Sequence, residues 1–337
     1  MPPVVNWQQY PSCPQSSADS SSVRRAWCYT GGMTHFLQSE HWQQFQEALG
    51  RTCITGQGDG WSYRAYLEKG RINTRLYVPR GPLLESPEAL APALASLRSA
   101  AQDHGAVFIR IEPTEHVTPD NLKAAGLLRV ARVQPEATHV VDLTPSEDDI
   151  IAHFNTTGRR LHRAFAKRGL SLHTSHDPKD ITILTTMLHG VADTTGMTAH
   201  SDSYLQTQAE TFLPSGVATL YYVTLEDSPI AAVMVFDYDG TRYYAHVASG
   251  YEHRKLGAGT SIVSHMMLEA KRTGLKRFDL YGIWPHAEPG TPHAGITAFK
   301  RSFGGQDVIY PGTWELPVRP LPYAAYQFLR KFVKERT

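Results

Sequence analysis

Apolar residues fall at helical spacing in some stretches of the chain and in short continuous runs in others, and the two alternate. Trp42, Phe45 and Leu49 stand three and four apart behind Ser39, which predicts a helix opening on a serine cap. Short strands are predicted over 63–67 and 74–78, ended by the rigid break Val78-Pro79-Arg80-Gly81-Pro82. Ser86 opens a helix to about residue 104, and the apolar run 106–111 reads as a buried strand closed by Glu112-Pro113. A brief helix over 121–125 and a strand over 139–143 follow. Ser146 then caps one long helix to about residue 168, with Ile151, Phe154, Leu161 and Phe165 as its apolar stripe. Next come a strand over 170–173, helices over 179–195 and 203–212, and strands over 218–225, 230–238 and 241–248. A helix after the loop 254–259 runs to about residue 273, a strand covers 277–282, and a helix over 322–336 closes the chain with Tyr323, Tyr326, Phe328, Leu329, Phe332 and Val333.

One segment echoes another. Ala101-Gln102-Asp103-His104-Gly105 precedes the strand to Glu112, and Ala270-Lys271-Arg272-Thr273-Gly274 precedes the strand over 277–282. Each is a helix end closed by glycine and followed by a strand, as two copies of one α/β unit would give. A length of 337 residues suits two domains, and 41% hydrophobic residues supply their cores. The fold class is α/β (α+β). The expected division is a mobile arm rich in Pro, Ser and Gln over 1–32, a first domain over 33–142 completed by 315–337, and a second over 143–314.

A net charge of +1 excludes a uniformly basic nucleic-acid binder, so such contacts must come from a local patch. Three cysteines without ligand spacing point to a reduced, cytoplasmic protein, and the 16 histidines form no HExxH pair, so no metal is expected. The N-terminus lacks a basic segment followed by an apolar run, so no signal peptide is expected.

Three stretches carry candidate chemistry. In Ile296-Thr297-Ala298-Phe299-Lys300-Arg301-Ser302-Phe303-Gly304-Gly305, Phe299 and Phe303 share a helix face, Lys300 points elsewhere, and the two glycines end the turn. The loop Arg254-Lys255-Leu256-Gly257-Ala258-Gly259 stands between strand and helix, where Gly257 and Gly259 let backbone N–H groups approach an anion beside Arg254. Its RxxGxG pattern resembles the pyrophosphate loop of GNAT acyltransferases, and an ordinary glycine turn reads equally well. Arg159, Arg160, Arg163 and Lys167 lie opposite the apolar stripe of the 146–168 helix and can hold phosphates, though a solvated basic face has the same pattern. Glu112, at a strand end, can act as a base or orient an amine, and Tyr204, after the His200-Ser201-Asp202-Ser203 turn, can stack on a base or bond a phosphate.

With these residues in place the chain resembles the Fem (FemABX) transferases, which use aminoacyl-tRNA to extend the peptide stem of peptidoglycan precursors. The likeness runs through Phe36-Leu37-Gln38-Ser39 with Trp42, Val78-Pro79-Arg80-Gly81-Pro82, Arg110-Ile111-Glu112-Pro113 and Val141-Asp142-Leu143. It continues through 159–166, Asp279-Leu280-Tyr281-Gly282-Ile283 and Phe299-Lys300 with Phe303-Gly304-Gly305. It implies two tandem GNAT-like domains facing a cleft and an aminoacyltransferase with no cofactor beyond aminoacyl-tRNA as co-substrate. It also implies a UDP-linked or lipid-linked muramyl peptide as acceptor, a monomeric cytoplasmic protein, and room for peripheral membrane contact. In the resemblance Lys300 stabilises the tetrahedral centre, Glu112 lies in the same cleft, and Tyr204 contacts the nucleotide-linked precursor. Some relatives have arginine where His200 stands and lysine where Gln46 stands, which leaves the acceptor's carrier open. The long coiled-coil insertion of some relatives is absent. The alternatives are an acyl-CoA-dependent N-acyltransferase, tRNA-dependent amide formation in peptide-antibiotic assembly, and a non-catalytic binder of precursor or tRNA.

Overall fold

A computed structural model describes residues 34–70, 73–114, 116–195, 199–250 and 253–334; the arm expected over 1–32 lies outside them. The chain divides into two units. The N-terminal unit contains 34–39, Arg51–Gln134 and 311–334, and the C-terminal unit contains Glu40–Gly50 and Pro135–Tyr310. Helix α1 (Glu40–Ala48), close to the helix expected behind Ser39, therefore goes with the C-terminal unit.

In the N-terminal unit β1 (Thr52–Gly58), β2 (Trp61–Lys69) and β3 (Thr74–Val78) form an antiparallel meander, with the short β4 (Leu83–Leu84) on β2. Helix α2 (Leu90–Asp103) buries Leu90, Ala93, Leu94, Leu97 and Ala101 at helical spacing and ends before Gly105 at φ 66°. It crosses over to β5 (Phe108–Ile111), which lies parallel to β3 with Arg75 opposite Phe108 and Val78 opposite Ile111. All four residues of β5 are buried, as its apolar run requires of a central strand. After α3 (Pro119–Ala124) and β6 (Leu128–Arg129) the chain leaves, and it returns as β14 (Trp314–Pro317) between β5 and β6. Helix α10 (Pro320–Lys334) closes this unit.

The C-terminal unit repeats the scheme. Strand β7 (Ala137–Asp142) is followed by α4 (Glu147–His153), α5 (Thr156–Arg163), β8 (Leu170–Ser175), α6 (Ile181–Thr195) and α7 (Asp202–Phe212). Strands β8, β9 (Ala218–Leu225), β10 (Ser228–Tyr238) and β11 (Thr241–Ser249) are antiparallel neighbours. Helix α8 (Ala258–Arg272) ends before Gly274 at φ 91° and crosses to β12 (Arg277–Gly282), parallel to β11. After α9 (Pro292–Arg301) comes β13 (Gln306–Ile309). The sheet order is β13-β7-β12-β11-β10-β9-β8. The two glycine-ended segments that echo in sequence are thus the same strand–helix–strand unit, each providing its sheet's parallel pair.

Each unit has its own core. Val141, Phe154, Val233, Met266, Met267, Phe278 and Phe303 pack together in one, and Leu76, Val78, Leu97, Ile109, Ile111 and Trp314 in the other. Three features differ from the sequence reading. Strand β7 hydrogen-bonds β12 and β13, so the chain passes between units after Gln134 and not after Asp142. The helix expected from Ser146 to Arg168 is broken. Phe154 takes extended backbone at ψ 149°, and Asn155 recaps the chain by accepting from Gly158 N at 2.7 Å. Strands β1, β4, β6, β13 and β14 were not foreseen, because they are short or polar and lack a clean alternation.

Candidate active site

Strands β11 and β12 pair from Thr241 opposite Arg277 to Tyr243 opposite Asp279 and no further. Beyond that pair their carboxyl ends carry no further ladder partners for each other, and both are irregular. The β10–β11 register shifts between Met234 and Val235, and the β12–β7 register shifts between Asp279 and Gly282. Tyr281, inside the second bulge, sits at φ 62°, a left-handed conformation that a bulky side chain adopts only when its surroundings impose it. Its N–H donates to Asp279 Oδ1 at 2.7 Å, and Thr138 Oγ1 donates to the same oxygen. His246 and Gly282 each stand three residues past the last parallel pair, at the same end of the sheet. The carboxyl ends of parallel strands are where ligands bind in open α/β sheets.

Lys300 meets this end of the sheet from α9. Thr291 caps α9, and Thr297 ties it to the preceding loop by accepting from Trp284 N at 3.0 Å. Phe303 packs edge-on against Phe154 and Phe299 at 5.4 and 5.3 Å, which fixes the helix on the core as the spacing implied. Gly304 and Gly305 turn the chain at φ 75° and 89°. A side chain at Gly304 would stand 2.7 Å from His153 Cβ, and one at Gly305 would overlap Val140 O. His139 braces the turn, with Nδ1 2.7 Å from Asp307 Oδ1 and Nε2 2.6 Å from Gly304 O. Lys300 is only 6% exposed, and its Nζ donates to Gly282 O at 2.8 Å. Burial pushes its pKa down to about 7, against the pull of the Asp279 carboxylate. At neutral pH such an amine is present both as an ammonium and as a free base. It can stabilise a developing anion or take a proton.

His200 and Tyr204 come together, stacked at 4.4 Å and 16°. Tyr204 also meets Phe45 of α1 edge-on at 5.1 Å. His246, which the sequence reading missed, joins them. Its ring lies 5.5 Å from that of His200, and its Nε2 is 2.8 Å from Oε1 of the buried Gln208. Burial, with the nearby His200, pushes His246 down to about 3, and burial also lowers His200. Both imidazoles are therefore neutral at physiological pH and suit uncharged contacts better than a phosphate. No spacing in the sequence flags His246, because the bulge that sets its position is a tertiary feature.

Glu112 belongs to the N-terminal unit. It is buried and accepts from Tyr77 Oη at 2.6 Å, Gln134 N at 2.8 Å and Thr313 Oγ1 at 2.6 Å. Burial and the Glu112 charge raise the Tyr77 pKa well above its ordinary value, so the phenol keeps its proton and remains the donor. This unit also has a pocket of about 560 Å³, lined by Gln57, Trp61, Ser62, Glu85, Thr114 and His116 among others.

The remaining candidates divide. Arg160, Arg163 and Lys167 are exposed. Arg159 is not part of a free basic face. Because the chain breaks at Phe154, its guanidinium closes the end of α4 on the carbonyls of Ala152 (3.1 Å) and Phe154. Gly257 caps α8 at φ 68° and is buried with Gly259. A side chain at Gly257 would stand 2.6 Å from the Leu161 methyls, so the glycine permits α5 to approach α8. The side chain of Arg254 lies outside the described residues.

The sequence profile of the FemAB family matches residues 223–331. A search of curated proteins found no match. Among solved structures, FemX superposes with a TM-score of 0.77 at 18% identity, covering 88% of this chain and 95% of its own. L-PGS from Bacillus licheniformis gives 0.53 at 14% identity, over 88% and 96% of the two chains. A tandem GNAT protein from the clavulanic acid biosynthesis pathway gives 0.50 at 16%, over 77% and 79%. The fold is two tandem GNAT-like domains. The FemAB profile match spans the Lys300 helix and its glycine turn, and the FemX fold runs along most of the chain.

Proposed function

We propose that this protein moves an aminoacyl group from aminoacyl-tRNA to an amine of a peptidoglycan-precursor stem peptide. The FemAB profile match supports the coarse class, a transferase. The observation that carries the finer reading is Lys300, a buried amine with a pKa of about 7 at the parting of β11 and β12, inside the matched span. The acceptor nitrogen attacks the ester carbonyl, an oxyanion forms, and the carbon–oxygen bond to the ribose breaks as the proton lost by that nitrogen is made up at the ribose oxygen. The new amide is more stable than the ester, so the transfer runs downhill without an energy cofactor. Lys300 as an ammonium stabilises the oxyanion, a charge present only along the reaction path, and such a group contributes a few kcal/mol. Glu112, held by three donors, fixes the backbone around Gln134. His200, Tyr204 and His246 offer the precursor neutral aromatic and hydrogen-bonding contacts.

The acyl-CoA alternative relies on 254–259 as an open anion cradle, and burial of Gly257 under Leu161 speaks against it. The test is to incubate the protein with a charged tRNA pool and UDP-linked or lipid-linked muramyl peptides and read the product mass. A precursor heavier by one amino-acid residue supports the reading. No product, together with tight binding of acetyl-CoA by titration, replaces it with an acyl-CoA enzyme.

A further inference from the structure

Helices α5 and α8 bring two histidines together in the C-terminal unit. The rings of His162 and His265 lie 4.7 Å apart at 40°, and Phe165 packs on the His265 ring at 4.5 Å. The hydrogen bonds fix where the ring protons sit. Ser264 Oγ donates its single proton to Ser261 O at 2.8 Å, so it can only accept from His162 Nδ1, 3.0 Å away. His265 Nδ1 donates to Ser261 O at 2.8 Å, since a carbonyl only accepts. Both rings therefore carry the proton on Nδ1, and each Nε2 is left as a lone pair that no other described group meets. Ser261 and Ser264 are fully buried, which holds the tied edges in place, whereas both histidine rings are half-buried. Burial, then the neighbouring His265 and Arg163, lowers the His162 pKa, so this imidazole is neutral at pH 7. A histidine that binds a metal through one nitrogen donates its other N–H to an oxygen, which fixes the ring. Two imidazoles on one ion, bound at about 2.0–2.1 Å with ligand angles from square to tetrahedral, have ring centres roughly 4.5–5.2 Å apart. The observed 4.7 Å lies in that range. Among the described residues no third His, Cys, Asp or Glu completes a cluster, so the remaining positions of an ion fall to water and the site is an open one. Arg163 and Arg272 stand near His162, with Arg272 paired to Glu147 at 2.5 Å. They oppose a hard ion held by charge alone, and the two nitrogen donors favour a borderline ion.

We propose that His162 and His265 ligate one borderline divalent transition ion such as Zn²⁺ through their Nε2 atoms, bridging α5 and α8. The inference is independent of the transfer reaction. Full-length protein, stripped with a chelator, is titrated by calorimetry at pH 7 with Zn²⁺ alone and, as a control, with Mg²⁺ alone. His162→Gln and His265→Gln should each bind one Zn²⁺ fewer than the wild type and should not differ from it with Mg²⁺. Counting the loss of one ion separates this site from any binding by the other histidines and the cysteines. Ser264→Ala keeps both ligands but unties the His162 ring, so it should bind that ion about 10–100-fold more weakly. A measurement on the wild type alone covers the case of a variant that fails to fold. Diethyl pyrocarbonate acylates a neutral imidazole nitrogen, and peptide masses read the labelling at 162 and 265 with and without Zn²⁺. The ion should suppress labelling at both positions several-fold. An unchanged number of bound Zn²⁺ ions in the two histidine variants, or labelling at 162 and 265 that Zn²⁺ leaves unaltered, overturns the proposal. Wild-type affinity in Ser264→Ala overturns it too, because Nδ1 of His162 would then not be the tied edge.

Discussion

At the scale of the residue, burial of Lys300 fixes the sign of two pH effects. Its pKa is about 7 in the fold against 10.5 for a free lysine amine. Between those values the unfolded chain binds more protons than the folded one, so stability rises with pH across this window. Below pH 7 both states are protonated and the full penalty of a buried charge applies; above the unfolded value it is gone. Lys300→Met should therefore stabilise the protein at pH 6 by on the order of a few kcal/mol, shrinking toward pH 10. Urea melts at the two pH values measure this, and equal gains at both would mean that the amine is not desolvated in the fold. The second effect is kinetic. If the ammonium stabilises the oxyanion, turnover should fall as pH rises through about 7, and Lys300→Met should lower it by about 10²-fold or more with little change in substrate binding. Lys300→Arg stays charged throughout, so it should show a lower rate without that descending limb. A limb that rises near pH 7 would instead make Lys300 the base.

At the scale of the element, the turn after α9 was legible because its signals are local. Two glycines follow two phenylalanines four apart, and the structure uses both pairs as the spacing implies. Gly305 and Gly290 separate two contributions to such a turn. Both have positive φ, 89° and 85°, but a side chain at Gly290 meets nothing within 4 Å while one at Gly305 overlaps Val140 O. Gly290→Ala should cost about 1 kcal/mol of backbone strain, and Gly305→Ala should cost at least about 2 kcal/mol, read by denaturant melts. Equal losses would mean that β7 yields to the new methyl group. The 146–168 segment was misread for the opposite reason. Its apolar stripe continues across Phe154, so periodicity showed no break, and only the Asn155 cap on Gly158 marks one. Arg159 was then counted as a surface cation although the break gives it two carbonyls to close. His246 and the strained Tyr281 were illegible because bulges in sheet pairing place them, and a bulge depends on strands distant in sequence.

At the scale of the whole molecule, sheet pairing decides where the chain can be cut. The echo between 101–112 and 270–282 pointed to two like units, yet each unit borrows strands from outside its central run, which composition does not reveal. Strand β14 is inserted between β5 and β6, and Glu315 on it pairs with Arg110 directly opposite on β5. Both groups are buried, so loss of the carboxylate leaves a cation without its partner, a change of about 3–5 kcal/mol. Thr313, just before the strand, also holds Glu112. A chain stopped after Tyr310 loses all of these groups and should leave the N-terminal unit unfolded. A chain stopped after Val318 keeps β14 and loses only α10, uncovering Phe108 and Val107. It should fold with a lower melting temperature. The C-terminal unit's core uses none of the deleted residues, so it should persist in both. Amide exchange distinguishes the cases: protection over 52–111 should vanish on stopping after Tyr310 and survive on stopping after Val318, while 218–282 stays protected in each. Survival of 52–111 in the shorter chain would show that β5 tolerates an open edge and that the returning strand is dispensable to the N-terminal sheet.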